Sequence, residues 1–406
     1  MADGSHDMSG VGSGPEGAGP TPSHWDLFRT YLKISLLGFG GPNAHLALML
    51  DEVVERRRWL TRERFLEIVA LTNLLPGPNS SEVAIHVGYT QRRWTGALVT
   101  GLTFLLPTFC IVTGFSALYF RFGTLPQVAT VFWGLQPVIV AIVLAAGWKI
   151  GRAGVKTAAQ GVLAAAGAAV SLVSGEAIIA TMLVGGGVTW WLRRRGRTTP
   201  RERDDPTDAD RRSFFFVPAA LSVGSFGALG SLGTLATVFL THLWIGSVLF
   251  GGGYVLVALL EPYAVGRYGW LTSAQFLDGV ALTQAVPGPI STLSAFVGYA
   301  AGGVPGAVLG TAGIYLPAFA SVLLVAPRLE RLRKVDAIRH ALEGVVAVAA
   351  GAVVGVGVSL AVAGVGDVVA AAVAAAALTA ALWKKVPSLW LVAAGLVAGV
   401  ARTLFF

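Results

Sequence analysis

The chain has 406 residues, 54% of them hydrophobic and 13% charged, about half the charged share of ordinary soluble domains, with a mean hydropathy of +0.68. This composition excludes a large soluble protein folded around a buried core, and apolar runs of membrane-spanning length recur from Leu27 to Phe406. The formal net charge is +8, but many arginines sit in short loops or in the stretch Arg193–Arg212, where topology signals belong, so the basic balance does not point to nucleic acid.

In chain order, residues 1–25 are polar and rich in Gly and Pro, lack an apolar core of signal-peptide length, and read as a disordered tail. Hydrophobic segments then begin near Leu27, Phe65, Gly96, Val128, Ala158 and Ala177, filling a first unit, 26–192. A basic linker, 193–213, precedes an extra apolar segment, 214–234, and a second unit, 235–406, has segments beginning near Phe239, Gln275, Pro305, Ala341, Val368 and Ser388. The expected fold is therefore an all-α polytopic membrane protein with about thirteen hydrophobic segments. Cys110 is the only cysteine, which excludes disulfide frameworks and cysteine-based metal sites.

The two units are copies. Trp59 and Trp270 stand 211 positions apart, and at the same offset Phe39-Gly40-Gly41 matches Phe250-Gly251-Gly252 and Pro76-Gly77-Pro78 matches Pro287-Gly288-Pro289. One residue is then lost, and Gly88-Tyr89 pairs with Gly298-Tyr299. Loop charge gives the relative orientation. Asp51–Arg64 carries five arginines against one in Pro262–Gln275, whereas Tyr119–Gln127 carries one against five basic residues in Pro327–His340. By the positive-inside rule the copies are inserted oppositely, as in transporters built on inverted-topology repeats. The extra segment at 214–234 would supply the odd crossing that flips the second copy, with the N-terminus cytoplasmic and the C-terminus outside. Arginines on both sides of Phe65–Tyr89 place both of its ends inside, which predicts a re-entrant hairpin with Pro-Gly-Pro near its tip. The GFGGPN segment is a candidate for a second hairpin.

Pro-Gly-Pro breaks a helix because each proline lacks an N–H and restricts the residue before it. A helix restarting after the break exposes unpaired N–H groups and a positive dipole end, a ready site for an anion. Asn79, Ser80 and Ser81 follow the first break; Ile290, Ser291 and Thr292 follow the second. Asn73 and its counterpart Gln284 precede the breaks and could add amide donors, and the glycines Gly40, Gly41, Gly251 and Gly252, with Pro42 and Asn43, permit close backbone approach. The expected anion site thus comprises Gly40, Gly41, Asn43, Asn73, Pro76, Gly77, Pro78, Asn79, Ser80, Ser81, Gly251, Gly252, Gln284, Pro287, Gly288, Pro289, Ser291 and Thr292. The competing account gives the glycines to helix packing and the serines to helix capping. Glu82 and His86, four apart on one helical face, are candidates for carrying a coupling proton, or else an internal pair; Leu293 and Phe296 occupy the matching places. His45 and His242 read as packing or interfacial residues. The run beginning at Gly151 has the wrong spacing for a phosphate-binding loop, and no metalloprotease spacing occurs, so neither an ATPase nor a zinc enzyme is expected and no metal or cofactor is called for.

The phrases GFGGPNAHLALMLDEVVERRRWLTRERF and LTNLLPGPNSSEVAIHVGY, with the repeated FGGG and PGP, resemble the chromate ion transporter family, specifically its long two-domain members. The resemblance covers nearly everything after residue 25. It implies a multi-pass protein of a prokaryotic inner membrane that exports chromate and confers resistance, with sulfate as a structural analogue. The lipid bilayer is then its surroundings, and a homodimer is compatible with it. The first-half signature falls on Gly40, Gly41, Pro42, Pro76, Gly77 and Pro78, and the second on Gly251, Gly252, Pro287, Gly288 and Pro289. Gly253 stands where the first copy has Pro42, which weakens the case for equal use of both Gly-rich loops. The sequence alone leaves open another oxyanion as substrate, and a passive anion channel in place of a carrier.

Overall fold

A computed structural model describes residues 19–123, 125–195, 233–325, 336–384 and 386–405. Most of the expected tail and linker, nearly all of the extra segment 214–234, and much of the basic loop Pro327–His340 lie outside these residues. Every regular element among the described residues is helical. The α-helices are α1 (His24–Leu37), α2 (Pro42–Met49), α3 (Arg62–Thr72), α4 (Asn79–Phe122), α5 (Pro126–Gly154), α6 (Ala158–Val173) and α7 (Ile178–Arg195) in the first half. The second half has α8 (Thr234–Ser247), α9 (Gly253–Glu261), α10 (Ser273–Ala285), α11 (Leu293–Val325), α12 (Asp336–Gly364), α13 (Val368–Leu382) and α14 (Ser388–Phe405).

Local chemistry sets the helix starts, and the duplication repeats it. The threonine of each Trp-Leu-Thr phrase is an N-cap: Thr61 Oγ1 accepts from the Arg64 N–H and Thr272 Oγ1 from the Gln275 N–H, both at 3.2 Å. Gln275 also reaches back to the Thr272 N–H, completing a capping box. Just before each cap the chain widens into a π-helical segment, Leu50–Arg56 in one half and Pro262–Arg267 in the other. Asp367 caps α13 and accepts from Trp133 of α5 and Arg402 of α14. The Ala370 N–H, followed by Trp133 and Arg402, holds that carboxyl below the usual carboxylate range.

Helices α4 and α11 are each two helices joined by a sharp reversal. Non-helical backbone at Arg92 and Arg93 divides α4, and Gly302 and Gly303 divide α11. The arms then run antiparallel: Thr100 Oγ1 donates to the Ala84 carbonyl at 2.8 Å, and a Cβ at Gly88 would collide with the Gly96 carbonyl. Gly298 and Gly306 make the same contact in the second half. The short arm 79–91 rises about 20 Å, less than the roughly 30 Å of a bilayer core. The expected boundary between a segment ending near Tyr89 and one beginning near Gly96 is thus present as a turn.

Five helical stretches are long and apolar enough to cross a membrane, and four apolar helices are shorter: Ala158–Val173, Thr234–Ser247, Val368–Leu382 and Ser388–Arg402. The protein is a helical membrane protein. Of the roughly thirteen hydrophobic segments expected, these nine stretches are the apolar helices among the described residues; α3 and α10, at the places read as segments from Phe65 and Gln275, have only 11 and 13 residues. The middle of the fold joins both halves: α12 packs against α5, α6 and α7, and α13 and α14 pack against α5. Ile139 and Val143 of α5 and Val353 and Val356 of α12 are fully buried in one cluster. Tryptophans 94, 148, 191, 383 and 390 lie outward with large exposed areas, as residues of a lipid–water boundary do.

Adding a methyl group at Gly88 should force the antiparallel arms apart and cost roughly 1–3 kcal/mol, as overpacking does. Gly114, also on α4, has open space where a Cβ would stand. In thermal aggregation assays of purified protein, Gly88→Ala is expected to lower the midpoint and Gly114→Ala to leave it unchanged or raise it slightly.

Candidate anion site at the crossed helix breaks

Helix α3 ends at Thr72 and α4 begins at Asn79, so the first break occupies 73–78; the second occupies 286–289. Gly77 and Gly288 have φ of +152° and +115°, conformations L side chains rarely adopt. Each glycine donates its N–H to a carbonyl of the other half. Gly77 N–H reaches the Leu249 oxygen at 2.8 Å, and Gly288 N–H reaches the Gly38 oxygen at 2.9 Å. Gly38 and Leu249 are themselves 211 positions apart, so the two bonds are equivalent under the repeat. Each break also rests on the long arm of the opposite half. A Cβ at Gly77 would stand 2.9 Å from Ala318 Cβ, and one at Gly288 would collide with Thr108. Thr108 Oγ1 donates to the Pro287 carbonyl at 2.8 Å.

The side chains after the breaks are unequal. Ser80, Ser81, Ser291 and Thr292 are all buried. Ser80 Oγ lies 3.3 Å from His45 Nδ1, and His45 Nε2 lies 2.9 Å from the Gly38 oxygen. A neutral ring with its proton on Nε2 satisfies both contacts, with Ser80 donating to Nδ1. His45 packs edge-on against Phe104, as a packing residue would, and it also ties Gly38 to Ser80. His242 is a packing residue: its Nδ1 contacts the Val238 carbonyl at 2.7 Å, and its ring lies parallel to Trp270. Ser291 pairs with the Tyr315 hydroxyl at 2.6 Å, and Thr292 donates to the Pro289 carbonyl at 2.8 Å. Ser81 Oγ is buried, faces the Tyr315 hydroxyl and makes no well-formed hydrogen bond among the described residues.

Other predicted members diverge. Asn79 Nδ2 donates to Asn73 Oδ1, and Asn73 is exposed, whereas Gln284 is buried and donates to Tyr254 at 2.8 Å. The two amides are therefore used differently, Asn73 as an acceptor at the surface and Gln284 as a donor inside. Gly40, Asn43 and Gly251 are exposed; a Cβ at Gly41 or Gly252 would meet nothing within 4 Å, so both Gly-rich turns border open space. Pro76 and Pro287 are half-buried, and Pro78 and Pro289 buried.

Glu82 and His86 are both buried on the short arm, and neither is the other's hydrogen-bond partner. Glu82 Oε1 accepts from Ser321 of α11 at 3.4 Å, while Oε2 has no partner among the described residues. A Cβ at Gly77 would lie 2.8 Å from Glu82 Oε1, so this carboxyl folds back onto the break itself. The breaks therefore gather main-chain N–H groups, four buried hydroxyls and a buried acid, of which Ser81 Oγ and Glu82 Oε2 are left without a well-formed hydrogen bond among the described residues. Among the described residues no group of three or more His, Cys, Asp or Glu side chains converges as metal ligands would. A cavity of about 430 Å³ beside α1 and α4 is lined mostly by apolar groups such as Trp25, Phe28 and Leu102, the wrong chemistry for an anion.

Sequence reasoning missed Thr108, Tyr315 and Ser321, which reach the breaks from the long arms. It also missed Asp278 of α10, a buried acid that accepts from Tyr119 and Gln136. Asp278 alone carried a signal, an acid within an apolar run.

Comparison with known proteins gives a consistent picture. The chromate transporter family profile matches residues 25–190 and 236–400. The chain is 29% identical to a chromate transport protein of Cupriavidus metallidurans, over 84% of each chain. It is 32% identical to a chromate transport protein of Pseudomonas aeruginosa, over 82% of this chain and 80% of the other. A probable chromate transport protein of Synechococcus elongatus is 28% identical over 83% and 84%. No solved structure matches.

Replacing Thr108 by Val removes the donor to the Pro287 carbonyl while keeping the shape, and should destabilise the protein by about 1 kcal/mol. Ser81→Ala removes a hydroxyl without a well-formed hydrogen bond and should leave stability unchanged. Denaturant titration of the two purified variants in detergent checks both expectations.

Proposed function

This chain belongs to the chromate transporter family, and on that premise we propose that it is a secondary transporter exporting chromate across the cytoplasmic membrane, coupled to a proton or counter-ion gradient and conferring chromate resistance. The observation that carries the reading is the crossed pair of backbone bonds at the two breaks, Gly77 to Leu249 and Gly288 to Gly38. One shared site contacted by both halves is what alternating access between two repeats requires.

In this reading, repeats 26–192 and 235–406 are inserted oppositely, and the hairpins spanning 62–91 and 273–301 enter from opposite faces. The anion takes hydroxyls and N–H groups at the breaks, with Ser80, Ser81, Ser291 and Thr292 closest to it. A dianion and an ionised Glu82 repel each other in so small a space, so Glu82 takes a proton when the anion binds, and His86 lies one turn further along the path. The charged residues of a conducting ring are not needed for this reading, whereas a channel would want one.

Opposite insertion has a direct test. In a Cys110→Ser background, Arg56→Cys and Gly266→Cys should react with an impermeant maleimide from opposite sides of the membrane. Labelling from the same side would remove the inverted repeat.

Transport is tested in inside-out vesicles, where chromate uptake should rise with an imposed pH gradient and with sulfate or chromate trapped inside. Flux indifferent to both trans anion and gradient would identify a channel. Uptake of sulfate with no response to chromate would reassign the substrate.

A further inference from the structure

Asp278 has no task in the scheme above. It lies on α10 about two turns before the second break and is 7% exposed. Its Oδ2 accepts from the Tyr119 hydroxyl at 2.7 Å, and its Oδ1 accepts from Gln136 Nε2 at 2.8 Å. Both donors are neutral, and both belong to the first half, on α4 and α5. Aromatic rings close over the pair: Tyr119 and Phe120 lie 5.4 and 5.3 Å from Phe296, and Phe120 stacks on Tyr299. The matching residue of the first half, Glu67, is half-exposed and paired with Arg64 at 2.6 Å. The duplication kept an acid at both places, but only the second copy is buried with neutral donors.

Among the described charged and titratable groups on the helices packed against α10, Tyr119 alone bonds to this carboxylate. On those helices and the segments around them, Arg121 lies over Phe122, Arg402 pairs with Asp367, Glu343 with Arg193, Arg267 with Glu176, and Tyr254 takes Gln284. Glu261 and Lys149 stand toward the ends of α9 and α5, and neither is a partner of Asp278.

We infer that Asp278 is a proton-responsive fastener between the halves, a positioning residue that holds the α10 arm against α4 and α5 when ionised and loosens it when protonated. Hydrogen bonds to an ionised acceptor are roughly twice as strong as neutral ones. A proton arriving from water on Oδ1 turns that oxygen into a donor, so Gln136 must turn its amide over to accept through Oε1, and a charge-assisted bond becomes a neutral one. A proton on Oδ2 reverses the Tyr119 bond and leaves both bonds neutral. Because α10 runs directly into Val286 and the Gly288 break, loosening it frees one side of the crossed junction. The inference rests on the transport reading, and it gives the second half a buried acid of its own, where Leu293 and Phe296 stand in place of Glu82 and His86.

The test uses the full-length protein in proteoliposomes. Infrared difference spectra across pH should show a protonated-carboxyl stretch that disappears in Asp278→Asn, a readout independent of substrate. Chromate–chromate exchange should persist in that variant, while the pH dependence of net flux flattens, and Asp278→Glu should restore it. Tyr119→Phe removes one donor to the ionised form, so the carboxyl band and the flux profile should both move to higher pH. A band present with no chromate flux in the unmodified protein would reject the transport reading and keep the titrating acid. Flux with an unchanged pH profile in both Asp278→Asn and Tyr119→Phe would overturn the inference, as would an infrared spectrum indifferent to Asp278→Asn.

Discussion

A broken helix inside a membrane must find partners for the backbone groups it frees, because hydrocarbon offers none. Here each break finds one in the other half: Gly77 donates to Leu249, and Gly288 donates to Gly38. Neither break is complete by itself. The two Pro-Gly-Pro turns, the two Gly-rich turns and the two long arms are therefore held by one crossed junction. The antiparallel contacts at Gly88 with Gly96 and Gly298 with Gly306 bring each short arm close enough to its long arm for the junction to form.

The backbone of this junction respects the repeat, while its side chains do not. His45 bridges Gly38 and Ser80, and Leu256 stands at its matching position. Thr108 bonds to the second break, whereas its counterpart Ala318 only touches the first. Glu82 faces Leu293 across the alignment, and Asp278 faces Glu67. A symmetric frame of main-chain bonds thus carries an acid-bearing arm in each half, one beside the break and one two turns before it.

Much of this was legible in the sequence because local chemistry wrote it there. The 211-residue offset exposed the duplication, the prolines marked the breaks, and each Trp-Leu-Thr phrase ended in a helix cap. The number of hydrophobic segments exceeds the number of long apolar helices because hydropathy registers an apolar stretch whatever its helical length, and α3 and α10 have only 11 and 13 residues. Long-range partners were invisible. The acceptors Gly38 and Leu249 act through carbonyls, which leave no trace in side-chain identity. Tyr119 and Gln136 meet Asp278 across more than 140 positions. Gln284 looked like a free donor because a sequence does not show that it already donates to Tyr254, and Asn73 gave no sign that its oxygen would accept from Asn79 on an exposed surface.

The claim that both breaks build one anion site is tested most directly by equilibrium binding of chromate to the purified protein. The account predicts a single saturable site per chain, weakened about ten- to a hundredfold by Ser81→Ala and equally by Ser291→Ala, as expected for a lost hydrogen bond to a charged group. Two independent sites, or an affinity that responds to substitutions in one half alone, would contradict it.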